Sequence, residues 1–392
     1  MILSPDEEAV LAGEEGETRA RMLEILVALG KVYGAERLIP IVSAQVSGAS
    51  YKTIGRWGLD WLQRLDARVS VPTVLNPVGM DRSRWREMGI TPEFARVQEK
   101  VLDAYRRLGV TMECTCTPYY LYMTRYGDHL AESSAVAYAN SVIGARTNRE
   151  GGPSALAAAI IGKTPEYGLH LVAARAPQVV IRVEEGERLT DAAHLGALGY
   201  LAGRLVGSRI PLFEGIRPKK DLLKALGAAM AASGAVALFH VKGITPEARI
   251  FSYPTGGLEV ISLGFDEVSA AMQEIPVDAV ALGCPHCSRD ELSRIAELLA
   301  GKKVRIPVFV FAARDVLSRH PEEVAAIEES GAHVFADTCM VVSPAMERFS
   351  AIMVNSGKAY AYIPNMCGAA VRLGTTEECI EVATGAPEGS PR

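Results

Sequence analysis

The stretch "DAVALGCPHCSRDEL", residues 278–292, contains the pattern on which the fold prediction rests. Its apolar first half has the length and composition of a buried strand, and the Cys-Pro-His-Cys turn is predicted to end that strand. Ser288 followed by Glu291 is a capping pair that predicts a helix directly after the turn. The stretch therefore predicts one strand–turn–helix unit whose turn carries two thiols, Cys284 and Cys287.

The same alternation of strands and helices continues in both directions from this unit. Further apolar runs followed by helical patterns include "RLIPIVSAQVS", "GVTMECTC", "PQVVIRVEE", "IPVFVFAA" and "HVFADTC". Alternating strands and helices build parallel sheets that are covered on both faces. We therefore predict an α/β protein of two or more three-layer αβα lobes with largely parallel sheets.

A loop rich in Gly, Pro and charge, residues 206–221, marks the predicted boundary between lobes. The first predicted lobe covers residues 1–205 and carries Cys116 together with several polar loops. The second covers residues 206–350 and carries Cys284 and Cys339. Residues 351–392 are predicted to pack back on the first lobe.

Composition and charge argue against some classes of function. The chain has 392 residues, of which 49% are hydrophobic, and its formal net charge of -5 does not suit nucleic-acid binding. The most apolar stretch, residues 225–241, is short and interrupted by Ser233 and Gly234, so no membrane span is predicted. Residues 1–20 have the pattern of a capped helix and not of a leader peptide. We expect a cytoplasmic protein without nucleic-acid or membrane partners.

Seven cysteines are spread through the chain, an odd number that argues against a disulfide framework. Three predicted strands end in thiols, namely at Cys116, Cys284 and Cys339. Ligands bind beyond the carboxyl ends of parallel strands, so these three segments can converge on one site. Core packing, a dithiol of Cys284 and Cys287, and an iron–sulfur cluster held by separate thiolates are the open interpretations. A structural zinc site is less well supported, because the chain has one close C-x2-C pair where such sites usually have two.

Polar loops supply candidate groups for binding an anion. Residues 140–152 present Arg146, Thr147 and Asn148 after a predicted helix, and a guanidinium group binds carboxylate or phosphate in a bidentate manner. Residues 46–51 resemble an anion-binding turn at a helix N-terminus. A strand-end histidine is as well explained by a buried core position as by catalysis. The candidates from these other segments are Ser47, Gly48, Ser356, Lys358 and His240.

Five motifs, in chain order, together resemble the large subunit of the aconitase X family, a divergent branch of the aconitase superfamily. They are "CTCTPYY", "NSVIGARTNREGG", "GCPHCSRDEL", "ADTCMVVSP" and "NSGKAYAYIP", and the resemblance covers most of the chain. It implies an aconitase-like fold and a hydro-lyase whose site is closed by a small swivelling subunit. Because the chain ends at "EVATGAPEGSPR" without a further domain, we expect that subunit to be a separate chain.

The resemblance also implies roles for individual residues. Cys116, Cys284 and Cys339 match the thiolates that hold the family's iron–sulfur cluster, which we expect to be a 4Fe-4S cluster with three cysteine ligands. The base is expected on the small subunit, so His240 is the one catalytic candidate in this chain. The expected substrate-binding residues are Ser47, Gly48, Asn76, Glu132, Arg146, Thr147, Asn148, Ser356 and Lys358.

Two substrates fit the resemblance, and both are small anions. The preferred one is (R)-mevalonate 5-phosphate, which family members dehydrate to trans-anhydromevalonate 5-phosphate in an archaeal-type mevalonate pathway of isoprenoid biosynthesis. The alternative is cis-3-hydroxy-L-proline. A different class, an iron–sulfur or dithiol redox protein, would instead depend on Cys284 and Cys287.

Overall fold

The computed structural model describes residues 1–121 and 123–385. Its strands are β1 Leu38–Pro40, β2 Ser43–Val46, β3 Thr73–Leu75, β4 Thr111–Cys114, β5 Leu130–Ala131, β6 Lys163–Pro165, β7 Val179–Val183, β8 Pro211–Glu214, β9 His240–Val241, β10 Glu259–Leu263, β11 Ala279–Cys287, β12 Val308–Ala312, β13 His333–Phe335, β14 Ala351–Val354 and β15 Ala370–Leu373. Its helices are α1 Pro5–Leu11, α2 Glu17–Val32, α3 Tyr51–Gln63, α4 Pro92–Arg107, α5 Val136–Tyr138, α6 Gly152–Ile161, α7 Ala192–Val206, α8 Leu223–Gly234, α9 Pro246–Ile250, α10 Phe265–Ser269, α11 Arg289–Leu299, α12 Arg314–Arg319, α13 Pro321–Glu329, α14 Gly357–Cys367 and α15 Thr376–Thr384.

Three parallel sheets organise the chain, and each is built from a consecutive part of the sequence. The first has the strand order β4-β3-β2-β5, the second β10-β7-β8-β9 and the third β13-β12-β11-β14-β15. The strand pairs in these sheets run parallel, whereas β1 and β6 form a separate antiparallel pair. The predicted α/β class with largely parallel sheets is therefore confirmed.

The lobes divide at other places than the sequence suggested. The predicted break after residue 205 separates β7 from β8, yet these strands pair in register with Val179 opposite Pro211. β14 and β15 lie in the predicted segment 351–392 but belong to the third sheet beside β11. The loop at 206–221 suggested a boundary because it is charged and rich in Gly and Pro, but it contains β8 itself. Residues 386–392 of the predicted segment lie outside the described residues.

The element order gives three lobes instead of two. The first contains α1–α6 and β1–β6, the second α7–α10 and β7–β10, and the third α11–α15 and β11–β15. α7 can pack closely on α8 because Gly199 has no side chain. A Cβ atom at this position would lie only 2.4 Å from the carbonyl oxygen of Leu226. No helix in the described ranges has both the length and the apolar character needed to cross a bilayer.

The stretch around Cys284 follows the predicted strand–helix pattern, with one difference. Ser288 caps α11 through the expected reciprocal pair with Glu291, whose backbone N–H lies 3.3 Å from Ser288 Oγ. β11, however, continues through the Cys-Pro-His-Cys segment, and its register against β12 shifts between Leu282 and Cys287. The two thiols belong to different apolar clusters, since Cys284 lies in the cluster that includes Phe311 and Cys287 in the one that includes Cys379.

Candidate active site

One cavity of about 260 Å³ receives side chains from all three lobes. The first lobe contributes mainly polar residues and one thiol, the second only alanines, and the third two thiols and a lysine among apolar groups. The lining residues are Asn76, Pro77, Cys116, Ser133, Ser134, Arg149, Ala228, Ala231, Ala232, Cys284, Cys339, Val341, Val342, Lys358, Tyr362 and Met366.

Three cysteines from distant segments meet at this cavity. Cys116 lies just past the end of β4, Cys284 lies in β11, and Cys339 follows β13. All three are buried and none forms a disulfide bond. The structure thus brings together the three thiols that the strand-end pattern singled out, because the strands that precede them end at the same side of their sheets.

The surroundings of the thiols suit metal ligands. Cys116 Sγ accepts a hydrogen bond of 3.3 Å from the backbone N–H of His286. Burial raises the pKa of Cys339 to about 11, although backbone N–H groups of Val342 and Val341 act in the opposite direction. Burial also raises the pKa of Cys284. These two thiols are therefore protonated at neutral pH in the metal-free chain and would release their protons on binding metal.

A lysine provides positive charge beside the three thiols. Lys358 lies in the first turn of α14, where the helix dipole disfavours a cation, and its side chain lines the cavity. Burial by itself lowers the pKa of Lys358, but the combined charge of its neighbours raises the pKa above its usual value; these neighbours are Cys116, Cys284, Tyr362 and Cys339. A cation placed against its helix dipole indicates a role in binding negative charge.

Polar side chains of the first lobe form the opposite part of the lining. Ser134 Oγ lies 2.8 Å from both Gln45 Oε1 and Asn76 Oδ1. Ser133 Oγ donates a hydrogen bond of 2.8 Å to the carbonyl oxygen of Gln45. Because Asn76 Oδ1 faces Ser134, the Nδ2 group is the part of Asn76 that remains for a ligand in the cavity.

The loop at 140–152 reaches the cavity through a different arginine than the sequence suggested. Arg149 lines the cavity and donates a hydrogen bond of 2.8 Å to the carbonyl oxygen of Ala231 in α8. Arg146, the predicted anion-binding residue, instead pairs through its backbone with Asp128 and is not among the lining residues. Successive loop residues point in different directions, so the motif identified the loop without identifying the side chain.

Several other predicted binding residues support the cavity from behind. Thr147 Oγ1 accepts a 3.0 Å hydrogen bond from the backbone N–H of Glu132, and Asn148 Nδ2 donates one of 3.1 Å to the carbonyl oxygen of Tyr167. The backbone N–H of Ser47 lies 3.2 Å from Ser133 Oγ. Gly48 adopts a positive φ of 75° directly after it.

Ser356 contacts a thiol segment and not the main cavity. It caps the N-terminus of α14, and its Oγ donates a hydrogen bond to the carbonyl oxygen of Cys284. This contact ties the helix that carries Lys358 to the strand that carries Cys284. The predicted residues that line the cavity are thus Asn76, Cys116, Cys284, Cys339 and Lys358.

His240 lies outside the cavity in the core of the second lobe. Its Nε2 donates a hydrogen bond of 2.8 Å to the carbonyl oxygen of Arg175, and its ring packs against Tyr253. Burial lowers the pKa of His240. The geometry favours the core-histidine interpretation, because β9 places this side chain away from the lining residues.

Residues that the sequence did not single out complete the site. Ser133 and Ser134 directly follow Glu132, and Tyr362 lies one helical turn after Lys358. The four-residue spacing on a helix is a signal that predicts a shared face. Ala228, Ala231 and Ala232 were visible only as part of an apolar run, because small residues carry no chemical pattern.

Glu132 is a buried carboxyl group whose Oε2 has no hydrogen-bond partner among the described residues. Burial raises the pKa of Glu132 from 4.5 to about 8, so the folded chain holds a proton that the unfolded chain has lost over this pH range. Stability then falls as the pH rises towards 8. Between about pH 5 and pH 8, the free energy of unfolding of the wild type should fall relative to that of Glu132→Gln by about 1.4 kcal/mol per pH unit.

Denaturant unfolding at several pH values measures this difference. Glu8→Gln, at an exposed carboxylate on α1, is the control and should run parallel to the wild type. A Glu132→Gln curve that also runs parallel to the wild type between about pH 5 and pH 8 would contradict the raised pKa.

The donor set of the cavity fits an iron–sulfur group. Three free thiols reach one cavity from separate segments, and backbone N–H groups point at the sulfur atoms of Cys116 and Cys339. Within residues 1–121 and 123–385, no three His, Cys, Asp or Glu side chains are grouped closely enough to hold a single metal ion. Thiols spread around a cavity suit a group with several iron atoms, in which different cysteines bind different iron atoms.

Three parallel-sheet lobes thus meet at one cavity lined by three thiols. Family models described as aconitase X first, second and third domain match residues 1–173, 177–273 and 277–385. These ranges correspond to the three lobes. The chain belongs to the aconitase X family.

Named relatives and a solved structure agree with this assignment. The phosphomevalonate dehydratase large subunit of Methanosarcina mazei is 54% identical over 99% of this chain and 98% of that protein. The cis-3-hydroxy-L-proline dehydratase of Pseudomonas aeruginosa is 35% identical over 98% of this chain and 70% of that protein. The crystal structure of Thermococcus kodakaraensis aconitase X in its holo-form superposes with a TM-score of 0.90 at 43% identity, covering 98% of this chain and 100% of that one. The predicted aconitase-like fold is confirmed.

Proposed function

We propose that this chain is the large subunit of a dehydratase that converts (R)-mevalonate 5-phosphate to trans-anhydromevalonate 5-phosphate. Relatives named phosphomevalonate dehydratase large subunit support this substrate, with identities of 54%, 44% and 48% and at least 95% of each relative covered. The hydroxyproline dehydratases are 35% and 33% identical, and the chain spans 70% and 68% of their length. Similarity in both identity and length therefore favours the phosphorylated substrate.

The observation that carries the proposal is the meeting of three thiols and two cations at one cavity. Cys116, Cys284 and Cys339 would hold the iron–sulfur cluster, which we take as 4Fe-4S. Such a cluster, with one iron lacking a protein ligand, supplies a Lewis acid for the departing hydroxyl group. Lys358 and Arg149 supply positive charge for the carboxylate and phosphate of the substrate.

The other lining residues bind and orient the substrate. Asn76 Nδ2 is placed to donate a hydrogen bond, since Ser134 faces its Oδ1 atom. Ala228, Ala231 and Ala232 leave room for the substrate and displace water from one wall. These contacts fix the position of the substrate carbon that loses a proton, relative to the hydroxyl group that departs.

Removal of that proton requires a base that this lining does not offer. Among the described residues, no carboxylate or histidine side chain lines the cavity. Its titratable groups besides the thiols are Arg149, Lys358 and Tyr362, and at neutral pH the first two are protonated. We therefore place the base on a small partner subunit, in keeping with the "large subunit" in the names of the relatives.

The cysteine pattern favours a reducing compartment and argues against a dithiol redox protein. All seven cysteines are free, and we place the enzyme in the cytoplasm, where thiols stay reduced. Cys284 and Cys287 belong to different apolar clusters, on two sides of the third sheet. A dithiol–disulfide couple would need these two sulfur atoms to approach each other, so the hydro-lyase is the better supported class.

A pair of arginine variants tests the binding of the substrate anion. Arg149→Ala should weaken binding of mevalonate 5-phosphate by about 1.5 to 3 kcal/mol, the range for a hydrogen bond to a charged group, and Lys358→Ala by a similar amount. Arg146→Ala is the matched control from the same loop and should have little effect. Calorimetric titration of the assembled enzyme measures the affinities. Stronger loss in Arg146→Ala than in Arg149→Ala would show that the loop binds the anion with its other arginine.

Product analysis tests the identity of the substrate. The enzyme, combined with its small subunit, is incubated with mevalonate 5-phosphate or with cis-3-hydroxy-L-proline, and NMR spectra of the products are recorded. We expect dehydration of the first compound and no turnover of the second. Turnover of cis-3-hydroxy-L-proline alone would replace the proposed substrate by the alternative.

A further inference from the structure

His286 is buried among the three segments that carry the cavity thiols, although it does not line the cavity. It follows Cys284 by two positions, and its ring makes hydrogen bonds to the residues that precede Cys116 and Cys339. Sequence inspection gave it no role, because the cysteines on either side drew attention to the thiol spacing.

The ring bridges two loops that are far apart in the sequence. His286 Nε2 lies 2.8 Å from the carbonyl oxygen of Thr338, the residue before Cys339. His286 Nδ1 lies 3.0 Å from Thr115 Oγ1, and Thr115 is the residue before Cys116. A carbonyl oxygen can only accept, so the ring proton is on Nε2 and Nδ1 accepts from the Thr115 hydroxyl.

The hydroxyl of Thr115 is itself fixed by neighbouring donors. The backbone N–H of Thr117 donates to Thr115 Oγ1 over 3.0 Å, and Thr117 Oγ1 lies at the same distance. Since the Thr115 proton is donated to the imidazole, the Thr117 hydroxyl is the donor in its contact with Thr115 Oγ1. The chain of hydrogen bonds therefore has one direction, from Thr117 through Thr115 and His286 to the carbonyl of Thr338.

The backbone of His286 is held as firmly as its ring. Its N–H donates to Cys116 Sγ, and its carbonyl oxygen accepts a 3.1 Å hydrogen bond from Lys224 Nζ. Lys224 is itself buried and paired with Glu291. One residue thus contacts the sulfur of Cys116 and the residues directly before Cys116 and Cys339.

We infer that His286 is a positioning residue that sets the placement of Cys116 and Cys339 relative to Cys284 through its hydrogen bonds to Thr115 and Thr338. A rigid ring with a donor and an acceptor on opposite sides keeps the spacing between two loops constant, which a flexible side chain would not do. Groups behind metal ligands commonly orient them in this way. The inference rests on the proposed function in so far as these thiols bind iron.

Two substitutions of Thr115 provide the test without removing the imidazole. Thr115→Val keeps the shape of the side chain but removes the hydroxyl that donates to Nδ1 and accepts from Thr117, whereas Thr115→Ser keeps the hydroxyl. Both leave every cavity residue unchanged. His286→Ala is a weaker test, because loss of a fully buried ring can prevent folding.

The first measurement uses the metal-free chain and hydrogen–deuterium exchange. In Thr115→Val, we expect amides in the peptide covering residues 337–343 to exchange about tenfold faster, because the His286 ring loses its hydrogen bond from Thr115 and holds Thr338 less firmly. Thr115→Ser should exchange like the wild type. If Thr115 only stabilised the fold as a whole, its substitution would speed exchange in all lobes. We expect a local effect instead, so peptides from α2 and α7 should be unchanged in both variants.

The second measurement follows iron in the reconstituted protein. A chelator should remove iron about 10- to 100-fold faster from Thr115→Val than from Thr115→Ser, the range for loss of a group behind a metal ligand. The visible absorption spectrum of Thr115→Ser should match that of the wild type, and that of Thr115→Val should differ.

The outcomes separate the two proposals. Equal exchange and equal iron loss in Thr115→Val and Thr115→Ser would overturn the positioning role, even if the wild type binds iron and is active. A wild type that binds no iron would overturn the proposed cofactor. The difference in exchange at residues 337–343 would then still support the role of His286 in placing the loops.

Discussion

Serine in place of Cys116, Cys284 or Cys339 should leave the protein without most of its iron and without measurable dehydratase activity. A hydroxyl group is a far poorer ligand for iron than a thiolate, and it matches the thiol closely in size. Each of the three sulfur atoms faces the same cavity, so loss of any one leaves an incomplete ligand set. Iron and sulfide analysis of the purified variants, with activity measured alongside, gives the result.

The remaining cysteines are matched controls within the same chain. Cys287 lies next to the site in sequence but belongs, with Cys379, to an apolar cluster of the third lobe, and Cys114 packs in the core of the first lobe. Serine at any of these remaining positions should keep both iron and activity; they are Cys114, Cys287, Cys367 and Cys379. Melting temperatures should be recorded too, since a hydroxyl buried without a partner costs about 1 to 3 kcal/mol. Loss of iron in Cys287→Ser together with its retention in Cys339→Ser would mean that the C-x2-C pair binds the metal.

The isolated chain should show almost no turnover, and the small subunit should restore it. General base catalysis contributes about 10²- to 10⁴-fold to a rate, and the described part of the cavity contains no carboxylate or histidine for this role. In the proposed complex, closure of the site by the small subunit would also strengthen the attraction between Lys358 and the substrate. Initial rates at rising concentrations of small subunit measure the effect.

Iron content provides the control for this experiment. The isolated chain should contain the same amount of iron as the complex, because the three thiols all belong to it. Low activity would then reflect the missing base and not an empty site. Full activity of the isolated chain would instead point to Tyr362 or Lys358 as the base, and Tyr362→Phe would decide between them.

Much of the fold could be predicted from the sequence because it depends on local patterns. Buried parallel strands are continuous apolar runs, and Ser288 with Glu291 marks a helix start from four residues alone. The lobe boundaries could not be predicted in the same way. Which strands pair depends on contacts between distant segments, so the loop that contains β8 resembles a linker until its partner β7 is known.

The candidate site shows the same division between local and distant information. Strand-end cysteines were predictable, because chain topology brings the ends of parallel strands together. The choice of Arg149 over Arg146 was not, since it depends on the direction of each side chain in an irregular loop that contacts α8. The role of His286 depends on Thr115 and Thr338, which meet it only in the folded protein.

The alanines of α8 separate the shape of the cavity from its chemistry. Ala228, Ala231 and Ala232 come from a lobe that contributes no thiol and no charge to the lining. A larger residue at one of these positions would change the room for a substrate and leave the thiols, Lys358 and Arg149 in place. Mutations in this helix therefore offer a route by which selection can change the length of the accepted substrate while the reaction is preserved. One scaffold can in this way give rise to enzymes that share a reaction and differ in the molecule they accept.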